Sequence, residues 1–289
     1  MDRNPTNDIP REPLSSLLNR HPGYQPLFHP ITGPQSWVDD RKLRRLYLQA
    51  SSQQWFAPQR IPFDSEVELE PDVRRVWIKF HRIFYTLEKM GLNVIENMMA
   101  KAVRKLKSEE ASFYLAAQCY DESRHVFSIE NYLKKLGAAP QYERKYHVLG
   151  QVASLGFYRV ENWLFSTLFS ENFASCFLRR AKNAKIDPLG AQMCKELLFD
   201  ESRHIHFLHI VLPNLLERLS LLGRAYVQAS QYFIMKFTEV MSRSLDNEGK
   251  IVGLDRAALL EEVFENMQRA YEMYGVGRRF LPFPAITKV

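Results

Sequence analysis

From Pro71 onward the apolar residues recur at threes and fours. Val76, Trp77, Phe80, Ile83, Phe84, Leu87, Leu92 and Ile95 share one face of a helix that starts with proline at a favoured first position and runs to about Lys107. Ser108, followed by Glu109, Glu110 and Ala111, reads as the cap of a second helix, which Gly137 closes after Lys134 and Lys135. The chain crosses over through about His147, and a third helical pattern runs from about Val148 to Lys182. Asp187-Pro188, a cap followed by proline, opens a fourth helix that Pro213 kinks or ends. Two further amphipathic segments, Leu215 to Leu245 and Leu254 to Met273, are expected to pack outside the four-helix core, ahead of a Pro-rich tail from Arg278. Before the core, residues 1 to about 40 carry many prolines and read as an irregular arm. A short helix from Asp39 to about Gln54 follows, then a loop at Trp55, Pro58 and Pro62.

The pattern predicts an all-α fold. Only 12 glycines and few β-branched runs support it. No Gly- or Ser-rich linker divides Glu70 from Arg269, so 1–289 is expected to form one domain. Its parts are an arm with a short helix (1–70), a four-helix core (71–213), and accessory helices with a tail (214–289).

Inside two of these helices the pentapeptide Asp-Glu-Ser-Arg-His occurs twice, at Asp121 to His125 and at Asp200 to His204. Glu and His three residues apart point to one side of a helix, so each copy offers a carboxylate and an imidazole to the same point. Upstream lie Phe84-Tyr85-Thr86-Leu87-Glu88 and Phe157-Tyr158-Arg159-Val160-Glu161, so the repeat extends over a helical hairpin. Two such helices facing each other can hold two metal ions, given Glu-x-x-His pairs on two helices and one further acid from each of the other two.

The motifs supply Glu122, His125, Glu201 and His204. On the first helix Glu88 sits in an apolar stripe with Phe84, Tyr85, Leu92 and Ile95, and Glu96 is the second choice. On the third helix Glu161 lies among Phe157, Tyr158, Leu164, Phe165 and Leu168, a costly setting for an unpaired carboxylate, and is preferred to Glu171. A metal-bound imidazole gives its other N–H to a carboxylate or carbonyl, a role for Asp121 and Asp200 across the site. Arg124 and Arg203 either neutralise these acids or pair at the surface. Phe84, Tyr85, Phe157, Phe165 and Leu198, with Cys119 one turn before Glu122, are the candidates to line a pocket. His81, His206 and His209 are expected to be structural.

Composition narrows the context. The three cysteines, Cys119, Cys176 and Cys194, fall in apolar helical segments without metal-ligand spacing, as in a reduced cytoplasmic protein. Met1 to Pro10 has no apolar core of the kind an export signal needs, and Trp163 to Leu178 is too short and too interrupted to span a bilayer, so no membrane anchor is expected. The net charge of +6 is spread along the chain, with clusters at Lys101 to Lys107 and Arg179 to Lys185, where cations complement helix ends. A nucleic-acid partner is therefore not favoured.

Taken together, these residues resemble the ferritin-like superfamily, specifically the di-metal carboxylate oxygenases and oxidases related to the ribonucleotide reductase small subunit. The resemblance spans about Trp55 to Leu212: Trp55, Ile61-Pro62-Phe63-Asp64, Glu88, Tyr114-Leu115, the two pentapeptides and Val160-Glu161-Asn162. It implies two iron ions, or iron with manganese, O2 as co-substrate, an external electron donor such as a ferredoxin or reductase, and a homodimer. Three departures are informative. Ile129 stands where reductase subunits carry a radical tyrosine, and Gly156 where ligand-binding oxidases carry a cross-linking one. Leu197 stands where some arylamine N-oxygenases of the group add a third histidine, so a third-histidine N-oxygenase is not supported. The expected function is an O2-activating non-haem di-iron oxygenase that hydroxylates, desaturates or otherwise oxidises a small organic substrate. A tRNA-modifying di-iron hydroxylase and a ferroxidase-type iron protein are the alternatives.

Overall fold

Asp39, Asp187, Ser220 and Asp255 each accept a backbone N–H from three residues on, and each opens a helix. The structure is a computed structural model describing residues 36–154 and 159–275, with Pro284 and Ile286. The arm before Ser36, the tail residues other than these two, and Gly156, Phe157 and Tyr158 lie outside the described residues. In chain order the helices are α1 (Asp40–Ser52), α2 (Ala57–Arg60), α3 (Pro71–Leu106), α4 (Glu110–Lys135), α5 (Arg144–Ser154), α6 (Val160–Ala184), α7 (Pro188–Glu217), α8 (Leu221–Ser242), α9 (Asp246–Ile251) and α10 (Arg256–Met273). One 3-10 turn, Arg243–Leu245, precedes α9.

Helices α3 with α4 and α6 with α7 pack as two hairpins, and α4 meets α7 to close a ferritin-like four-helix core. The turns follow the sequence signals. Lys107 and Lys185 take the left-handed conformation at the ends of α3 and α6, and Gly137 takes it after α4. Ser108 Oγ accepts the Ala111 N–H and donates to Asp40 of α1, which ties the first hairpin turn to the helix laid across α4 and α7. Around the core, α5 and α9 lie on α3, while α8 and α10 lie on α6.

Three expectations need correction. The third helix predicted from Val148 to Lys182 is two elements: α5 begins earlier, at Arg144, and α6 starts only at Val160. Of the two outcomes expected at Pro213, a kink or an end, the end is excluded, since α7 continues to Glu217 before Ser220 caps α8. The Trp55–Pro62 segment includes the one-turn α2, because Pro58 falls in its first turn, where a missing N–H costs nothing. No described helix is long and apolar enough to cross a membrane.

Candidate metal centre

Each core helix turns one carboxylate inward: Glu88 from α3, Glu122 from α4, Glu171 from α6 and Glu201 from α7, all buried. His125 and His204, fully buried, follow Glu122 and Glu201 by three residues on the same helix faces. One ligand atom from each of Glu88, His125 and Glu201 falls within a 4.8 Å cluster, and the same holds for Glu122, Glu171 and His204. His125 Nδ1 lies 3.2 Å from Glu88 Oε2 and 3.5 Å from Glu201 Oε1. His204 Nδ1 lies 3.3 Å from Glu171 Oε2 and 3.4 Å from Glu122 Oε1. The two clusters are joined. Glu201 Oε2 reaches within 3.5 Å of His204 Nδ1, and Glu122 Oε2 within 3.9 Å of His125 Nδ1.

Behind the imidazoles the pentapeptides cross over. His125 Nε2 is 3.2 Å from Asp200 and His204 Nε2 is 3.5 Å from Asp121, so each motif's histidine faces the other motif's aspartate. Arg124 donates to Asp121 and Asp200 (2.6 Å to the latter), and Arg203 donates to the same two, at 3.0 Å to Asp121. Trp55 Nε1 donates to Asp200 at 3.1 Å, Gln54 to Asp121 at 3.2 Å, and Gln118 to Glu171 at 3.1 Å. With metal bound, this layer would set the tautomer, Nε2 holding its proton toward aspartate and Nδ1 facing the glutamates.

The charges then sort into two shells. Two arginines neutralise two aspartates, which leaves four buried glutamates whose total charge two divalent ions match. Burial and the repulsion of Glu171 hold the Glu122 and Glu201 carboxyls well above the ordinary carboxylate range, with Glu88 adding to it. Burial would lower His125, yet its hydrogen bonds to Asp200 and Glu88 outweigh it and push the imidazole well up. His204 rises the same way against burial, through Glu171 and Asp121. Glu201 Oε2 is buried without a hydrogen-bond partner, as suits a ligand atom. Donor set, orientation and charge all fit a pair of iron ions.

The family model described as P-aminobenzoate N-oxygenase AurF matches residues 77–273, about two thirds of the chain. The chain belongs to the AurF family. As a member it is a non-haem di-iron oxygenase that uses O2 to oxidise a small organic substrate. No curated protein matches it in a sequence comparison. Solved structures share its fold. An R2-like ligand-binding oxidase variant with an aerobically reconstituted Fe/Fe cofactor is 17% identical, with TM-score 0.62, covering 80% of this chain and 92% of that one. Another variant of an R2-like ligand-binding oxidase, with a Mn/Fe cofactor, is 18% identical, with TM-score 0.61, covering 88% and 98%. A protein from Synechococcus with aldehyde deformylating oxidase activity is 16% identical, with TM-score 0.59, covering 73% and 96%.

The chain belongs to the AurF family with leucine, not histidine, at position 197. That leucine is fully buried one turn before Glu201 and supplies no ligand. The preferred acid of the third helix is corrected. Glu161 sits in the first turn of α6, 2.7 Å from Lys105 Nζ and 3.6 Å from Arg159, and these cations hold its carboxyl below the ordinary range against the pull of burial. Glu171 takes the place in the cluster, ten residues or about 15 Å further along the helix. Glu96 is exposed and stays outside it.

Beside Glu88, Glu122 and Glu171 opens an apolar cavity of about 260 Å³ between α3, α6 and α8. Of the expected lining residues that are described, only Phe84 reaches it. Tyr85 turns to Tyr142, Phe165 turns to Tyr271 of α10, and Cys119 and Leu198 pack in the core beside it. The shift follows from the ligand: Leu164 and Phe165 lie seven and six residues before Glu171, so Leu164 shares its face and Phe165 does not. Phe157 lies outside the described residues. Helix α8, expected only to pack outside the core, forms one wall through Phe233, Ile234, Phe237, Thr238 and Met241. His206 is exposed, His209 bonds Tyr274, and His81 bonds Trp77 O, so none joins the clusters.

Proposed function

We infer that Glu88, Glu122, His125, Glu171, Glu201 and His204 hold two iron ions, and that the chain transfers one atom of O2 to a small organic substrate. The second oxygen atom leaves as water, taking two electrons from an external donor such as a ferredoxin or reductase. The observation that carries this reading is that Glu122 and Glu201 each reach the histidines of both clusters, so two ions held there would act together on one O2. Bound there, the ions supply O2 reduction. The protein's part is to fix Nδ1 through Asp121 and Asp200, neutralise those aspartates with Arg124 and Arg203, and keep bulk water away with the apolar wall.

N-oxygenation of an arylamine, the reaction in the family's name, is the first chemistry to test. An apolar cavity that reaches the carboxylates favours an organic substrate over iron itself, so the ferroxidase alternative is the weaker one. The reading includes a cytoplasmic homodimer. Phe113, Tyr120 and Phe127, about half exposed at seven-residue spacing on α4, offer an apolar face for it.

Anaerobic loading with ferrous iron is expected to give two irons per chain, a change in absorption on adding O2, and one labelled oxygen in product formed under labelled O2. Fewer than one iron per chain, unaffected by Glu122→Ala or His204→Ala, would overturn the assignment.

A further inference from the structure

Helix α3 carries a glycine, Gly91, at a place where helix interiors disfavour it by about 1 kcal/mol relative to alanine. It follows Glu88 by three residues and lines the cavity. A Cβ built on it would meet only Glu122 Oε2, at 3.9 Å. Glycine therefore leaves open space directly beside a carboxylate that both clusters share. Among the described residues no other atom lies within 4 Å of that position, and Gly91 itself is exposed. It therefore stands at a point where the cavity, the Glu122 carboxylate and the outside of α3 meet.

The cavity itself is selective. It follows α3 from Ile83 to Ile95, twelve residues or about 18 Å of helix axis, which is long for a single ring. Among its described lining residues there is no Lys, Arg or His, and the only charged side chains are Glu88, Glu122 and Glu171. Four of the lining hydroxyls are spent on helix carbonyls: Ser166 donates to Asn162 O, Thr167 to Trp163 O, Ser170 to Thr167 O and Ser242 to Glu239 O. The Tyr146 hydroxyl, buried without a hydrogen-bond partner, can serve a neutral polar group. An anionic group placed along this wall would lose its water and gain no cation, a cost of several kcal/mol.

We propose that the cavity binds an elongated substrate whose body is uncharged and apolar, and that Gly91 is the specificity-determining gap through which its reactive end meets the metal ions. The proposal rests on the oxygenase reading for the site, but it makes a separate claim about charge. p-Aminobenzoate turned with its amine toward the metals would press its carboxylate into the apolar wall. Turned the other way, it would hold the amine out of reach. An alkyl ester of the same acid removes the conflict.

The test titrates the full chain, iron-loaded and iron-free, with p-aminobenzoate and with its ethyl and butyl esters, reading the heat of binding and the thermal midpoint. The esters are expected to bind at least ten-fold tighter than the acid, the butyl ester no weaker than the ethyl. Gly91→Leu should keep two irons per chain and lose ester binding ten-fold or more. Phe237→Lys, on the half-buried α8 wall, should shift preference toward the acid. Acid binding equal to or tighter than ester, no binding of either, or unchanged ester binding by Gly91→Leu would overturn the proposal. Failure to hold iron or react with O2 would instead strike the oxygenase reading, because the iron-free titration reports on the cavity alone.

Discussion

A buried carboxylate is stable only beside a compensating charge, and Glu171 and Glu161 show two ways of meeting that need. Glu161 has Lys105 and Arg159 and the positive end of α6; Glu171 has His204 and the space between the clusters. Glu171→Ala is therefore expected to lower iron content to one per chain or less and to abolish the O2-dependent absorption change. Glu161→Ala should keep both irons and cost about 1 kcal/mol or less, since Lys105 is partly exposed. Metal analysis and urea unfolding of the two variants check this, and the reverse pattern would restore Glu161 as ligand. The pentapeptides made the other site residues legible, because Glu and His at i and i+3 carry their geometry in the spacing. The third-helix acid was not legible from burial, since both glutamates are buried and the sequence does not show which has a cation across the bundle. Hairpin height distinguishes them: Glu171 lies 14 residues before Lys185, and Glu201 lies 14 after Asp187. Antiparallel helices of equal rise bring those two to one level.

Between elements, the core is joined by a second buried cluster two turns from the metal site. Trp77 of α3 donates to Tyr132 OH of α4 at 2.6 Å, and Tyr132 donates to Asp187, the residue that caps α7. Gly190 leaves room for the tyrosine, since a Cβ there would lie 2.5 Å from its hydroxyl. His81 stacks edge-on against Trp77, Tyr132 and Phe177, which adds α6 to the α3, α4 and α7 contacts at this point. Burial holds its pKa down at about 4 against the ordinary 6.5, although the bond to Trp77 O and the charge of Asp187 pull the other way. Neutral in the fold and readily protonated once unfolded, His81 contributes fully above pH 6.5, and the contribution fades as pH falls toward about 4. For iron-free protein, unfolding in urea from pH 7 to pH 4 should show wild type losing up to about 3 kcal/mol relative to His81→Phe. A constant difference across that range would remove His81 from the acid response. The helices here were legible because proline, capping Asp and Ser, and left-handed turn residues punctuate the chain at their ends. The break between α5 and α6 was not, since Val148 to Lys182 keeps an apolar helical pattern straight through it.

Across the whole molecule, the metal site is a place where function opposes stability. Four glutamates converge in a low-dielectric interior, and the fold tolerates them because the helices that carry them are locked elsewhere, by α1 across α4 and α7 and by the Trp77–Tyr132–Asp187 chain. Glu201 is the sharpest case. It is almost fully buried, its carboxyl is held far above the ordinary range by burial and by Glu171, and one oxygen has no hydrogen-bond partner. Glutamine keeps its shape and removes the repulsion. Glu201→Gln is therefore expected to make the iron-free protein about 1 kcal/mol or more stabler at pH 7.5, where wild type must either hold a proton on the site or suffer the repulsion. Iron should do the opposite to the pair. At a free concentration 100-fold above the dissociation constant, binding raises wild-type stability by about 2.7 kcal/mol per ion, and the variant, lacking an anionic carboxylate common to both clusters, should gain less than half of that. Differential scanning calorimetry of both proteins, with chelator and with ferrous iron under argon, measures the two effects together. A variant less stable than wild type without iron would mean that Glu201 is held in place by ordinary packing. Equal gains from iron in the two proteins would mean that it is not shared between the ions.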